Sequence, residues 1–224
     1  MTITQSSATN NDADGSTTNS FTYTIPANTG TVVVLLAARD STNGTTAPTI
    51  SSLTLGGVAM TQSITIDSQN GQRVAIYYRQ NATVGDNVIT ATFAAAANSR
   101  LTVLSYTGAV ASIKGAASAT DTNTSLSATF SGSVSTSAGE YGLSIATFSS
   151  NVTATAGTNQ TAFYGRTNVG TTNALRVASS YTSTAGLTAM NWTSSANNNT
   201  GMVDCVVYES GPLVLNTGNF FMFF

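Results

Sequence analysis

Across 224 residues the chain has no histidine, one lysine and one cysteine; charged side chains make up 7% of it, while Ser, Thr and Asn supply roughly two-fifths. Proton transfer, metal binding and phosphate binding draw on the scarce residue types, so the composition argues against catalysis and directs attention to surfaces and assembly. The formal net charge is −2 and the six arginines are dispersed at Arg39, Arg73, Arg79, Arg100, Arg166 and Arg176, which leaves no basic stripe for nucleic acid and little repulsion between close neighbours.

Residues 1–10 are polar and carry neither a basic n-region nor an apolar h-region, so no Sec signal is expected, and the chain is expected to be made in a host cytoplasm. Residues 1–19 read as a flexible N-terminal arm. Within them Asn10, Asp12, Asp14 and Gly15 match the opening of a calcium loop, with oxygen ligands at alternate positions and a glycine for the turn. The twelfth position is Phe21 rather than a bidentate glutamate, so an arm rich in Asp and Asn is the better reading, and neither a metal nor a cofactor is expected.

From residue 20 onward, short runs of apolar and β-branched residues alternate with Gly, Asn, Ser and Thr clusters, which predicts strands. They fall at 21–25, 31–38, 50–55, 60–66, 73–79, 87–93 and 100–106, then at 125–130, 140–148, 161–166, 175–181, 187–192 and 202–209. Gly56 with Gly57, and Asn70 with Gly71, are two-residue hairpin signals. Pro26 and Pro48 sit where a strand edge tolerates a missing donor. The one helical candidate, 94–98, is too short to matter. The longest apolar run, 32–38, is far below the length of a membrane-spanning helix.

Two halves read alike. The runs at 32–38, 73–78, 88–93 and 101–106 recur in order at 141–146, 176–181, 187–192 and 203–208, an offset of roughly a hundred residues. The fold expected is all-β: an antiparallel, jelly-roll-like β-sandwich over residues 20–210, built from pseudo-repeated halves at about 20–110 and 120–210. No linker separates the halves, which favours one domain over two stacked subdomains. Residues 211–224 form an apolar tail ending in Phe220, Phe221, Met222, Phe223 and Phe224. Each aromatic is worth about 2 to 3 kcal/mol when buried, so the tail is expected either to tuck into the chain's own core or to insert into a partner.

Candidate chemistry is thin. Cys205 stands in an apolar run and reads as a small buried hydrophobe. With no histidine and a single lysine, Lys114, a nucleophilic triad cannot be assembled. Glu140 and Glu209 are the only glutamates; as a glycosidase pair they compete with the simpler reading of solvated strand ends. Sequons at Asn43, Asn81, Asn123, Asn151, Asn159, Asn191 and Asn198 are what chance supplies in a chain this rich in Asn and Thr. Tyr77, Tyr78, Tyr106, Phe163, Tyr164, Tyr181, Trp192 and Tyr208 lie on strands and are core by default, but of the adjacent pair Tyr77 and Tyr78 one is expected to face outward, as in a shallow sugar-binding surface.

Residues 50–60, with Leu55, Gly56, Gly57 and Val58, together with 73–79 and with 183–192, including Thr184, Ala185 and Gly186, resemble a β-sandwich module of bacterial surface proteins and bacteriophage virion structural proteins. The likeness spans most of 21–209 and implies a scaffold for binding or assembly with no catalytic positions. It makes a non-enzymatic virion protein, a capsid decoration, cement or spike, the leading expectation. Its partners would be other virion proteins and copies of itself, with host surface glycans as a further candidate, and its anchors Phe220, Phe221, Met222, Phe223 and Phe224. A carbohydrate-binding or adhesin module, or an extracellular filament subunit that donates its tail as a strand, are the alternatives.

Overall fold

The computed structural model describes residues 3–42, 45–68, 71–107, 111–120, 127–132, 134–148, 153–166, 175–186, 189–198 and 200–209. Among these there is no helix. The strands are β1 (Thr4–Ile25), β2 (Thr29–Asp40), β3 (Ile50–Leu55), β4 (Val58–Ala59), β5 (Thr61–Ser68), β6 (Gln72–Gln80), β7 (Gly85–Thr107), β8 (Ala111–Thr120), β9 (Ser127–Ser131), β10 (Tyr141–Phe148), β11 (Ala154–Ala156), β12 (Thr161–Arg166), β13 (Arg176–Thr182), β14 (Asn191–Asn198) and β15 (Thr200–Glu209). All pair antiparallel.

The first sheet runs β4-β3-β7-β2-β6-β5, with β1 also on β7, and it nearly closes on itself. The bend lies in β7. Its first part pairs with β3, Leu55 opposite Ile89, and its second part with β2, Val34 opposite Val103. On its other side β1 follows it along its whole length, from Thr4 opposite Thr107 to Ile25 opposite Gly85. A second sheet runs β12-β13-β10-β15-β8, and a third β11-β14-β9.

Side-chain alternation sorts the core into three clusters. Along β2, Val32, Val34, Leu36 and Ala38 join Tyr23, Leu53, Leu55, Ile89 and Phe93 inside the bent first sheet. Val33, Leu35 and Ala37 point the other way and pack with Leu143, Ile145, Val177, Val203, Cys205 and Val207 of the second sheet. On the far side of that sheet Ala146, Phe148, Met202 and Val206 meet Phe130 of β9 and Trp192 of β14. Every residue from Val32 to Ala38 is 0% exposed, because β2 lies between two clusters; this is why its sequence is an unbroken apolar run instead of an alternating one. Polar bonds cross between the sheets as well: Gln72 Nε2 donates to the Phe148 carbonyl at 3.0 Å, and the Thr102 and Ser179 hydroxyls lie 3.2 Å apart.

Several expectations change. The stretch 1–19 was expected to be a flexible arm, but residues 4–19 belong to β1. This edge segment is held by backbone pairing and its partly covered face carries Gln5, Asn11 and Asn19 instead of apolar residues, so it leaves no hydrophobic pattern to read. Residues 94–98 are strand: Ala97 pairs with Ser16 of β1 and Asp40 of β2, Asn98 with Arg39, and the backbone of Ala94 and Ala96 bonds to Thr49 and Ser41, which overrides the alanine preference for helix. The strands β8 and β11 were not foreseen, and β14 begins at Asn191 rather than at 187. The Gly56–Gly57 turn is as expected: Leu55 pairs with Val58 and the two glycines have φ of 57° and 76°, the left-handed values a tight hairpin requires. At the other hairpin Ser68 pairs with Gln72, so three residues connect the strands where two were expected, with Gly71 at φ 63°.

Candidate interaction surfaces

The residues read as the start of a calcium loop surround a guanidinium instead. Arg100 of β7 is 2% exposed. Its Nη2 lies 2.7 Å from Asp14 Oδ1 and its Nε 3.3 Å from Asp12 Oδ1, while Nη1 donates to the carbonyls of Ala13 at 3.2 Å and Ser99 at 2.8 Å. Gly15, at φ 62°, turns its N–H onto Asn98 Oδ1 at 2.8 Å, and Asn10 Oδ1 accepts from the Thr102 hydroxyl at 2.7 Å. These bonds sit where the β1–β7 pairing shifts register, between Ala13 and Ser16 and again before Thr18. The Asp and Asn side chains therefore clamp a bulge at the corner of the sheet. Among the described residues no group of three or more acidic, Cys or His side chains could hold a metal ion.

Other ionic groups among the described residues are also engaged within the chain. Arg73 forms a two-pronged pair with Asp67 at 2.6 and 2.8 Å, and Arg79 donates to the Leu55 carbonyl. Lys114 pairs with Glu140 and lies 5.1 Å from the centre of the Tyr208 ring. Glu140 also accepts the Ser137 N–H at 2.8 Å. Burial alone would raise the Glu140 carboxyl, but Lys114 and the Ser137 bond outweigh it and hold it below the usual range. The proposed partner carboxylate, Glu209, has its side chain outside the described residues. Cys205 is fully buried, and burial followed by the adjacent Asp204 carboxylate pushes its thiol far up, which makes it an inert core residue.

Neither tyrosine of the adjacent pair faces open water. Tyr77 is buried in the first cluster with its hydroxyl donating to Gln62 Oε1 at 2.8 Å, and Tyr78 is half-buried against the second. The expectation that one of them forms an exposed sugar platform is corrected, because β6 is covered on both faces. A half-buried aromatic row does exist. Phe163 stacks on Tyr181 at 4.5 Å, Tyr181 on Tyr141 at 6.5 Å, and Tyr141 meets Tyr106 edge-on at 5.4 Å. Burial raises the Tyr106 hydroxyl well above its ordinary pKa. Trp192 is buried and donates from Nε1 to Ser144 Oγ at 3.0 Å. The side chain of Tyr164 and residues Phe220, Phe221, Met222, Phe223 and Phe224 lie outside the described residues.

What sequence reading missed is a neutral hydroxyl face. On the outer side of the first sheet, Ser20, Thr22 and Thr24 of β1 lie opposite Thr90, Val88 and Asp86 of β7, and Ser52 and Thr54 of β3 lie opposite Thr92 and Thr90. Ser20 and Thr90 hydroxyls are 2.9 Å apart, and Thr24 donates to Asp86 at 2.6 Å. Val88, on the same face, is 48% exposed. Asp86 is the one charge among the residues of this face. The signal was present as polar residues at alternate positions, but alternation does not say which polar face stays uncovered. Comparison of the chain with family models, curated proteins and solved structures returns no match.

Proposed function

We propose that this chain is a non-enzymatic structural protein of a bacteriophage virion, a capsid decoration, cement or spike, built as two successive jelly rolls packed back to back. One observation supports the reading: over the described strands, the orders of the two halves correspond. If β1 and β7 are each counted as two strands on either side of the corner, the first half places the strands of one sheet as β1-β7-β2-β6-β5 and of the other as β1-β7-β3-β4. The second half has β8-β15-β10-β13-β12 and β9-β14-β11, so β5 and β12 are corresponding edge strands and β4 has no counterpart among the described residues. Both are the wrapping order of a jelly roll, a fold common in capsid and lectin domains. The matched strands include the runs that recur in the sequence, β2 with β10, β6 with β13 and the end of β7 with β15.

The chemistry of the surface supports the same reading. Arg73, Arg79, Arg100, Lys114 and Glu140 are bound within the chain, and the outer face of the first sheet is rich in hydroxyls with Asp86 as its one named charge, which suits close packing among virion proteins and copies of the chain. Phe220, Phe221, Met222, Phe223 and Phe224 would serve as the anchor.

Density-gradient fractionation of the source material, with peptide mass spectrometry across the fractions, tests this. Co-migration with a capsid protein at many copies per particle is expected. Replacing Phe220, Phe221, Phe223 and Phe224 by Ser should release the protein from particles while Trp192 fluorescence stays unchanged. Recovery in fractions free of capsid protein would replace this reading with a secreted adhesin or filament subunit, which a glycan array and a polymerisation assay separate.

A further inference from the structure

We infer that the outer edge of β1 around Ser20, Phe21 and Thr22 is a pairing edge for the same strand of a second copy, joined antiparallel across a two-fold axis. This deepens the self-association in the proposed function and stands without the virion assignment. β1 is 22 residues long, about 70 Å of strand, and among the described residues β7 is the one strand that pairs with it. Half of an edge strand's backbone groups point away from its neighbour, and proteins usually guard such edges with lysine, proline or inward-pointing charge. Between Gly15 and Pro26 the sequence has no charged residue, no proline and no glycine. The register irregularities that break the edge lie earlier in the strand, at Gln5 to Ser7 and Ala13 to Thr18, so the part from Thr18 onward is regular.

The occupant follows from two features. Phe21 points into the first core cluster, opposite the fully buried Ile89, yet is only partly buried itself, so the core is open beneath this edge. A strand added beside it closes the core, and the aromatic surface so covered favours association. The strand best matched to an uncharged edge with alternating Ser and Thr on one face is one of the same pattern: antiparallel pairing across a two-fold sets Phe21 near its counterpart and continues the hydroxyl row of Ser20, Thr22 and Thr90 into the neighbour.

Sedimentation of the purified full-length chain and of the Ser20→Lys, Thr22→Lys double variant tests this. Both side chains are exposed, so the fold, followed by Trp192 fluorescence, should survive. The wild type is expected to dimerise, and the lysines, set against each other across the axis, to raise the dimer dissociation constant about tenfold or more. The Ser20→Cys, Thr22→Cys double variant should form intermolecular disulfides under oxidising conditions, since each cysteine faces the other position of the partner strand and Cys205 is buried. A wild type that stays monomeric overturns the inference. So does a dimer that survives both lysines and cross-links at neither cysteine, or one that is lost only when the tail phenylalanines are replaced. None of these results depends on whether the protein is found in particles.

Discussion

Arg100 shows how a polar residue can organise a neutral chain. A guanidinium that is 2% exposed is tolerable only because two carboxylates and two carbonyls converge on it, and those carboxylates belong to the segment that sequence reading left as an arm. Arg100→Met should cost about 2 to 3 kcal/mol in urea unfolding, below the penalty for a fully buried orphan because Asp12 and Asp14 side chains keep 30% and 48% of their exposure to water. Glu140 makes a pH-dependent contribution. Its carboxyl is depressed in the folded protein, so the native state binds fewer protons than the unfolded one just below the normal glutamate range; the stabilisation is present above that range and fades as pH falls through the lowered value. Glu140→Gln should therefore lower stability at neutral pH and leave it unchanged in strong acid, as read by thermal unfolding at the two extremes. Neither the Arg100 clamp nor the Lys114–Glu140 pair could be seen in the sequence, where the partners stand 86 to 88 and 26 positions apart.

At the scale of elements, the strands that were legible are those with a local signature. β3 and β12 fall at their expected bounds, and β2, β6, β10 and β13 within a few residues, because apolar runs and the turn residues between them are short-range signals. β8 and the part of β1 before Phe21 were missed for one reason: each is an edge segment of polar and small residues, whose partner, β15 or β7, supplies the ladder. The Gly56–Gly57 hairpin is the element whose chemistry is most local. Gly56→Ala should destabilise by about 1 to 2 kcal/mol in denaturant melts, since an L side chain is disfavoured at φ 57° and the added methyl would come within 2.6 Å of Asn87 Oδ1.

For the whole molecule, the second core cluster is the decisive feature, because it ties both halves of the chain together through Leu35, Ile76, Leu143, Val177 and Val203. Unfolding should accordingly be cooperative across the described strands. Leu35→Ala, fully buried in β2, should cost about 3 kcal/mol and should move the unfolding midpoint reported by Trp192, although Trp192 sits in a different cluster on the far side of the second sheet. Two separate transitions, with the Trp192 signal indifferent to Leu35, would mean that the halves are independent.

The sequence by itself determined the all-β class, most strand positions, the tight hairpin and the scarcity of reactive groups, since each depends on residue type and on spacings of a few residues. Only the tertiary structure decided that β2 and β6 are covered on both faces, that Tyr77 and Tyr78 both turn inward, that Asp12 and Asp14 serve Arg100, and that a hydroxyl-rich face and one long strand edge remain uncovered. Burial on a particular side is a property of which sheet lies against which, and that is set by pairings between residues up to a hundred positions apart, where no local pattern can record it.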